Sequence, residues 1–197
     1  MRPLIGAVLA GGESRRFGKD KTKVEVDGIP MVVRAKTALE AVCEDVVIVS
    51  SRPGFDAWGP VIPDLRPGIG PLAGIESALH HAAGLGAAAV FVLAADLPYV
   101  DPGVIRTITS AANVVAAGSV PTLAVAAGRR GEPDFEPLCA LYRVECADRV
   151  SRLLDEGERA ARALVESVGG MKLVLTPGAA RAVSVNVNVP ADLERRP

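Results

Sequence analysis

Leu4-Ile5-Gly6-Ala7-Val8-Leu9-Ala10-Gly11-Gly12 is an unbroken apolar run that ends on two glycines. A run that is apolar at every residue, rather than at alternate ones, reads as a strand covered on both faces. Val46 to Val49 and Ala89 to Ala95 have the same character. Between these three lie Pro30 to Val42 and Pro71 to Ala83, with apolar residues at helical spacing and a proline suited to a first turn. In the first of them Val32, Val33, Ala35, Ala38, Leu39 and Val42 form the expected buried stripe. The β-α-β-α-β order predicts an α/β fold on a parallel sheet with right-handed crossovers.

Further along, Asp101-Pro102-Gly103 opens a helix expected over Val104 to Ala112. Strands are expected at Val114 to Ala117, Leu123 to Ala127, Leu138 to Tyr142 and Lys172 to Leu175, and a last short one ending at Val185. Helices are expected at Glu145 to Asp155 and Arg159 to Val168, with a terminal helical turn at Pro190 to Arg196. There is no internal repeat and no low-complexity linker, and 197 residues suit one domain, since two cores would each be small.

Lys and Arg number 22 against 23 Asp and Glu, a formal charge of -1, which argues against a nucleic-acid or membrane binder driven by bulk charge. Only 4% of residues are aromatic, too few for a stacking platform for single strands. No apolar stretch reaches the roughly 20 residues a bilayer span needs. The first run leads into a basic loop with no small-residue cleavage site, so a buried strand is the better reading than a secretory signal. Cys43, Cys139 and Cys146 are odd in number and contain no C-x-x-C, as expected of reduced, packed thiols in a cytoplasmic protein.

The first strand ends where parallel sheets bind ligands, at the carboxyl edge. Gly11 and Gly12 let backbone N–H groups approach a phosphate. Beyond them Arg15, Arg16, Lys19, Lys21 and Lys23 place five cations within nine residues, against one acid, Asp20. In a chain of charge -1 that imbalance marks a phosphate-binding loop rather than a basic surface turn. The Walker spacing fails, because five residues separate Gly12 from Gly18 and Asp20 follows Lys19; G-x-G-x-x-G is absent as well.

Asp96, in Ala94-Ala95-Asp96-Leu97-Pro98 at the end of the third apolar run, faces the same edge. Mg²⁺ is commonly held by one or two carboxylates plus substrate phosphates, so Asp96 is a candidate ligand; the alternative is a turn cap. Asp64 to Gly74 carries Gly68, Gly70 and Gly74 around a helix start, and is expected to be a mobile active-site loop. Asn186 and Asn188 are two of three asparagines in the chain and share a face if extended. They offer neutral oxygens to a metal or phosphate, though spacing alone favours turn and cap chemistry. His80 and His81 are adjacent and make no i, i+4 metal pair, and no Cys/His set has zinc spacing.

Taken together, Leu9-Ala10-Gly11-Gly12, Ser14, Arg16-Phe17-Gly18 and Asp20-Lys21 resemble the L-A-G-G-x-S-x-R-[MF]-G-x-D-K signature of molybdenum cofactor guanylyltransferases. Gly70-Pro71-Leu72-Ala73-Gly74-Ile75 resembles their G-P-L-A-G motif, and Asp96-Leu97-Pro98 their D-x-P. Asn186-Val187-Asn188, Pro190 and Asp192-Leu193 are similar to their closing N-x-N-T-P-x-[DE]-L. The resemblance implies a single-domain, Rossmann-like three-layer α/β/α nucleotidyltransferase fold on a mostly parallel sheet, over 1–197. It also implies a nucleotide-binding part at about 1–100 and an acceptor-binding part at about 101–197.

The implied reaction transfers GMP from GTP to molybdopterin cofactor and releases pyrophosphate, with Mg²⁺ as cofactor and molybdoenzyme or cofactor-biosynthesis proteins as possible transient partners. Leu9, Ala10, Gly11, Gly12 and Ser14 would then contact the nucleotide, with Asp64 and Gly70 in the same site. Arg16 and Lys21 would hold phosphates, Asp96 would bind Mg²⁺, and Asn186 and Asn188 would border the metal and the second substrate. Two positions depart from the pattern. Val49-Ser50-Ser51-Arg52 stands where the family often has Asn, and Val189 precedes Pro190 in place of Thr. Competing readings are a molybdopterin cytidylyltransferase, a phospholactate guanylyltransferase, a sugar-1-phosphate nucleotidyltransferase, or a nucleotide-binding module without catalysis.

Overall fold

A computed structural model of the chain describes residues 3–11, 24–116, 122–128, 134–187 and 192, with no account of the side chains of residues 114–116. In chain order the elements are β1 (Leu4–Leu9), β2 (Glu25–Val26), β3 (Ile29–Pro30), α1 (Met31–Glu40), β4 (Asp45–Val49) and β5 (Val61–Ile62). There follow α2 (Pro71–Gly84), β6 (Ala89–Ala94), α3 (Pro102–Ala116), β7 (Ala124–Gly128) and β8 (Phe135–Arg143). The last are α4 (Ala147–Asp155), α5 (Ala161–Ser167), β9 (Met171–Val174) and α6 (Pro177–Ser184). Seven strands form one sheet in the order β5-β4-β1-β6-β8-β7-β9, while β2 and β3 make a separate hairpin.

The three apolar runs sit side by side at the centre, with β1 parallel to β4 on one side and to β6 on the other. Burial on both faces explains their composition. Val8, Ile48, Phe91 and Leu93 pack against Val32 and Leu39 of α1 and Ile105 and Ile108 of α3. Their alternates Ile5, Ala7, Val47 and Val90 pack against Leu72, Ile75 and Leu79 of α2, with Val150 of α4 and Leu164 of α5 beyond. Each fully buried Leu, Ile or Val of this kind stabilises by about 1.5–3 kcal/mol. Gly6 admits α1 closely, since a Cβ there would lie 3.1 Å from both Leu39 Cβ and Val46 Cγ2.

Chain direction reverses beyond β6. β8 is antiparallel to both β6 and β7, whereas β7 and β9 run parallel, so the sheet is mostly parallel. Asp101 caps α3 as its sequence suggests, its Oδ1 accepting from the N–H groups of Gly103 (2.7 Å) and Val104 (3.0 Å).

Two expected strands are not found. Val114 to Ala116 continue α3, whose buried stripe of Val104, Ile105, Ile108 and Ala112 carries the helix onward. β-Branched residues cost a growing helix only tenths of a kcal/mol, so the valine pair does not end it. The strand expected to end at Val185 is replaced by α6, which Pro177 starts and which buries Ala182 and Val183. Val183, Val185 and Val187 alternate with polar residues and mimic a strand's period of two. The hairpin was not anticipated. Asp27 (φ 55°) and Gly28 (φ 74°) both lie in the left-handed region, the Asp-Gly signature of a type I′ turn.

Candidate nucleotide site

The order β5-β4-β1-β6 places a topological switch beside β1, because the chain steps outward through β4 and β5 and then returns to the other flank with β6. The residues after these strands converge on a cavity of about 530 Å³ at their carboxyl ends. Its walls include Leu9, Gly11, Asp64, Gly70 and Asp96, five of the residues singled out from sequence. Gly12, Ser14, Arg16, Lys21 and Asn188 lie outside the described residues, as do all five cations of the basic loop.

Asp64 is half-buried, and burial raises its carboxyl above the usual range. Its side chain lies between two glycines: a Cβ on Gly11 would be 3.5 Å from Asp64 Oδ2, and one on Gly74 3.5 Å from Oδ1. Among the described residues no cation pairs with it. Its backbone is pinned instead: Ser51 Oγ accepts the Asp64 N–H (3.1 Å), and Ser77 Oγ accepts that of Leu65 (2.9 Å).

The rest of that loop is fastened from outside. Arg66 Nη1 donates to Asp155 of α4 (2.6 Å), and Arg66 Nε lies 3.0 Å from buried Glu76 Oε2, without hydrogen-bond alignment. The other Glu76 oxygen accepts from Ser151 (2.7 Å), so α2 and α4 grip one arginine. The loop expected to be mobile is therefore ion-paired to two helices. Gly70 has φ 117°, a conformation that favours glycine, and leads into Pro71 at the start of α2.

Asp96 follows β6 on the opposite side of Gly11. Its backbone carbonyl accepts the Val187 N–H at 3.0 Å, which brings the segment after α6 to the cavity rim. Asn186, the residue before Val187, has a buried Oδ1 with no hydrogen-bond partner among the described residues. An orphaned buried acceptor is costly unless something donates to it or coordinates it. Arg34 braces the same turn, donating from Nε to Pro98 O (3.0 Å) and from Nη1 to Val26 O (3.2 Å).

Sequence reasoning missed Arg52. At the end of β4 it lines the cavity, and its Nη2 donates to Ala10 O at 2.6 Å. Its guanidinium also lies 6.0 Å from the Phe55 ring centroid. The signal was a charged residue just past an apolar strand, in the stretch that departs from the family's asparagine. His80 and His81 do not line the cavity.

Residues 6–172 match the family described as MobA-like NTP transferase domain. The chain belongs to that family. It is 35% identical over 199 residues to a probable molybdenum cofactor guanylyltransferase of Opitutus terrae, covering 98% of this chain and 94% of the relative. It is 32% identical to a molybdenum cofactor guanylyltransferase of Rhodobacter capsulatus, covering 98% and 94%. Among solved structures, molybdopterin-guanine dinucleotide biosynthesis protein A of Archaeoglobus fulgidus superimposes with a TM-score of 0.74 at 25% identity, over 96% of this chain and 95% of that one. A 4-diphosphocytidyl-2C-methyl-D-erythritol synthase of Anaerococcus prevotii shares the fold at 10% identity, with a TM-score of 0.70 over 98% and 95%. The family is one of nucleotidyltransferases, and the fold expected from the motifs is the fold found.

Proposed function

We propose that this family member transfers GMP from GTP to the terminal phosphate of molybdopterin cofactor, releasing pyrophosphate. The observation that carries the reading is one cavity with an acceptor-only carboxylate, Asp64, on one side of Gly11 and Asp96 on the other. A nucleotide stretched across the switch point meets both. Asp64 is unsuited to phosphate, which it repels, but suited to a base edge rich in donors. Guanine offers N1–H and the N2 amino group side by side, and one carboxylate accepts from both. Cytosine presents a single amino group beside acceptors, so Asp64 favours guanine. The named relatives, including that of Rhodobacter capsulatus, support the same choice.

The phosphates then lie toward Asp96. The terminal phosphate of the acceptor is already ionised at neutral pH and needs no general base. One of its oxygens attacks the α-phosphorus of GTP in line; the new P–O bond forms as the bond to the β-phosphate oxygen breaks, and that electron pair leaves with pyrophosphate. The work left to the chain is positioning and charge neutralisation. Leu9, Ala10, Gly11, Gly12 and Ser14 hold the nucleotide, and Arg16 and Lys21 bind its phosphates. Gly70 lines the same cavity.

Asp96 and the orphaned Asn186 Oδ1 fit Mg²⁺, which takes oxygen ligands and keeps sites for water and phosphate. When bound, Mg²⁺ neutralises developing charge on the phosphate oxygens. Asn186 and Asn188 border the acceptor, whose side of the cavity is built from residues beyond about 100, as Leu138 at the wall suggests.

A cytoplasmic location is supported by the thiols. All three cysteines are free and buried, and burial pushes Cys43 and Cys146 up to about 12, leaving them inert as expected in the reducing cytoplasm. No helix among the described residues is long and apolar enough to cross a membrane. Delivery of the product involves transient contact with molybdoenzymes or cofactor-biosynthesis proteins.

The test is pyrophosphate release from GTP with molybdopterin cofactor as acceptor. Release that requires the acceptor and yields the guanine dinucleotide is expected. No release with that acceptor, but release with a sugar phosphate or phospholactate, overturns the reading.

A further inference from the structure

Arg52 occupies an unusual place for a cavity cation. Its Nη2 donates to the protein's own backbone, at the residue before the first nucleotide-binding glycine. The peptide geometry there gives the bond a consequence. The Ala10 N–H donates to Val49 O (3.1 Å), so the Ala10 backbone faces β4, while Leu9 O faces the other way and accepts from Ala95 (3.1 Å). Within extended chain the C=O of a residue points to the same side as its N–H, so Ala10 O also faces β4, where Arg52 captures it.

The peptide from Ala10 to Gly11 is trans, so the Gly11 N–H points opposite to Ala10 O, toward the flank of β6 and Asp96. That N–H has no backbone hydrogen bond among the described residues. Gly11 itself lies in the cavity wall.

We propose that Arg52 is a positioning residue: its guanidinium fixes the Ala10–Gly11 peptide so that the Gly11 N–H is presented to a nucleotide phosphate on the Asp96 side. Three short bonds make Ser50-Ser51-Arg52 a frame for the whole pocket. Ser50 Oγ accepts the Arg52 N–H (3.2 Å), Ser51 Oγ accepts the Asp64 N–H, and Arg52 holds Ala10. The segment at the end of β4 thus sets both the base end and the phosphate end of one site. Arg52 neutralises no leaving group in this role; it stops the peptide from flipping. A flipped peptide would present Ala10 O to the phosphates, an acceptor facing an anion. The proposal rests on the nucleotidyl-transfer reading of the cavity.

The test uses the full chain, as wild type, Arg52→Lys and Arg52→Met. Each is titrated with GTP and with guanosine by calorimetry, with NMR detection of the Gly11 amide and the Ala10 carbonyl carbon. Arg52→Met should shift the Ala10 carbonyl resonance in the nucleotide-free protein and abolish the Gly11 amide shift on adding GTP. It should weaken GTP roughly tenfold to a hundredfold, the worth of one charge-assisted hydrogen bond, while guanosine affinity is unchanged. Arg52→Lys, which still reaches the carbonyl with a donor, should restore both resonances and most of the affinity.

The proposal is overturned if free Arg52→Met leaves the Ala10 carbonyl resonance in place while GTP weakens. That result makes Arg52 a direct phosphate ligand. It is equally overturned if GTP affinity and the Gly11 shift survive in Arg52→Met. Wild-type protein that binds no GTP in the same titration overturns the nucleotidyl-transfer reading itself, and the proposal with it.

Discussion

Replacing Asp64 by Asn should move stability and binding in opposite directions. The substitution keeps the shape of the side chain between Gly11 and Gly74 and leaves the Ser51 bond to its backbone intact. Against guanine, however, the amide offers one acceptor and turns a donor toward another donor. Hydrogen bonds to a charged partner contribute about 1.5–3 kcal/mol each, so losing one and weakening the other costs about 2–4 kcal/mol. That is a loss of roughly 30-fold to 1000-fold in GTP affinity.

Stability responds differently. Burial raises the Asp64 carboxyl, so the folded state holds its proton more readily than the unfolded chain does. Stability therefore falls as pH rises from the unfolded carboxylate range through the raised folded value. Asn carries no such penalty. The variant should melt higher than wild type at pH 7, with the difference shrinking as pH drops into the carboxylate range. Calorimetric titration with GTP and thermal melts across pH measure the two effects. Unchanged GTP affinity, or a lower melting temperature at pH 7, refutes the assignment of Asp64 to the base.

Asp96→Asn should cut pyrophosphate release about a thousandfold or more and flatten its dependence on Mg²⁺; wild-type turnover in that variant removes the metal assignment. Asn186→Ala deletes the orphaned oxygen and should weaken the apparent Mg²⁺ affinity in the same assay without lowering the melting temperature. Arg66→Met strips buried Glu76 of its cation and should lower the urea midpoint; an unchanged midpoint would mean that the grip of α2 and α4 on the loop carries no weight. Gly6→Ala sets a methyl 3.1 Å from Leu39 Cβ and Val46 Cγ2, and the same denaturation should show a loss of about 1–3 kcal/mol from overpacking.

The centre of the sheet was legible because burial on both faces leaves an unmistakable composition. Leu4–Leu9, Asp45–Val49 and Ala89–Ala94 read as strands with no knowledge of their neighbours, and the prolines before α1 and α2 marked where helices begin. Legibility failed where local pattern and tertiary packing disagree. Val183 to Val187 alternates like a strand, yet Pro177 and the buried Ala182 and Val183 make a helix that ends at Ser184. The antiparallel β8 carries no local sign of its direction, which only the pairing with β6 and β7 decides.

At the site the same division holds. Asp96 was found because a carboxylate following an apolar strand lies at the edge where α/β sheets bind ligands, whereas Asp64 was placed in the site only by the resemblance of the motifs around it. Arg52 was passed over because its role depends on a carbonyl 42 residues earlier, a relation no local spacing encodes. Spacing alone gave Asn186 to turn chemistry and only the family resemblance put it in the site; the bond from Val187 to Asp96 shows how the fold carries its segment there.

The central claim is that this cavity joins a guanine nucleotide to molybdopterin cofactor. Turnover with that acceptor, measured with GTP and with CTP under identical Mg²⁺, tests it most directly. Pyrophosphate and the guanine dinucleotide should form in equal amounts with GTP, with CTP at least about 30-fold slower for want of the paired donors that Asp64 accepts. Equal or faster turnover with CTP, or none with either nucleotide, contradicts the account.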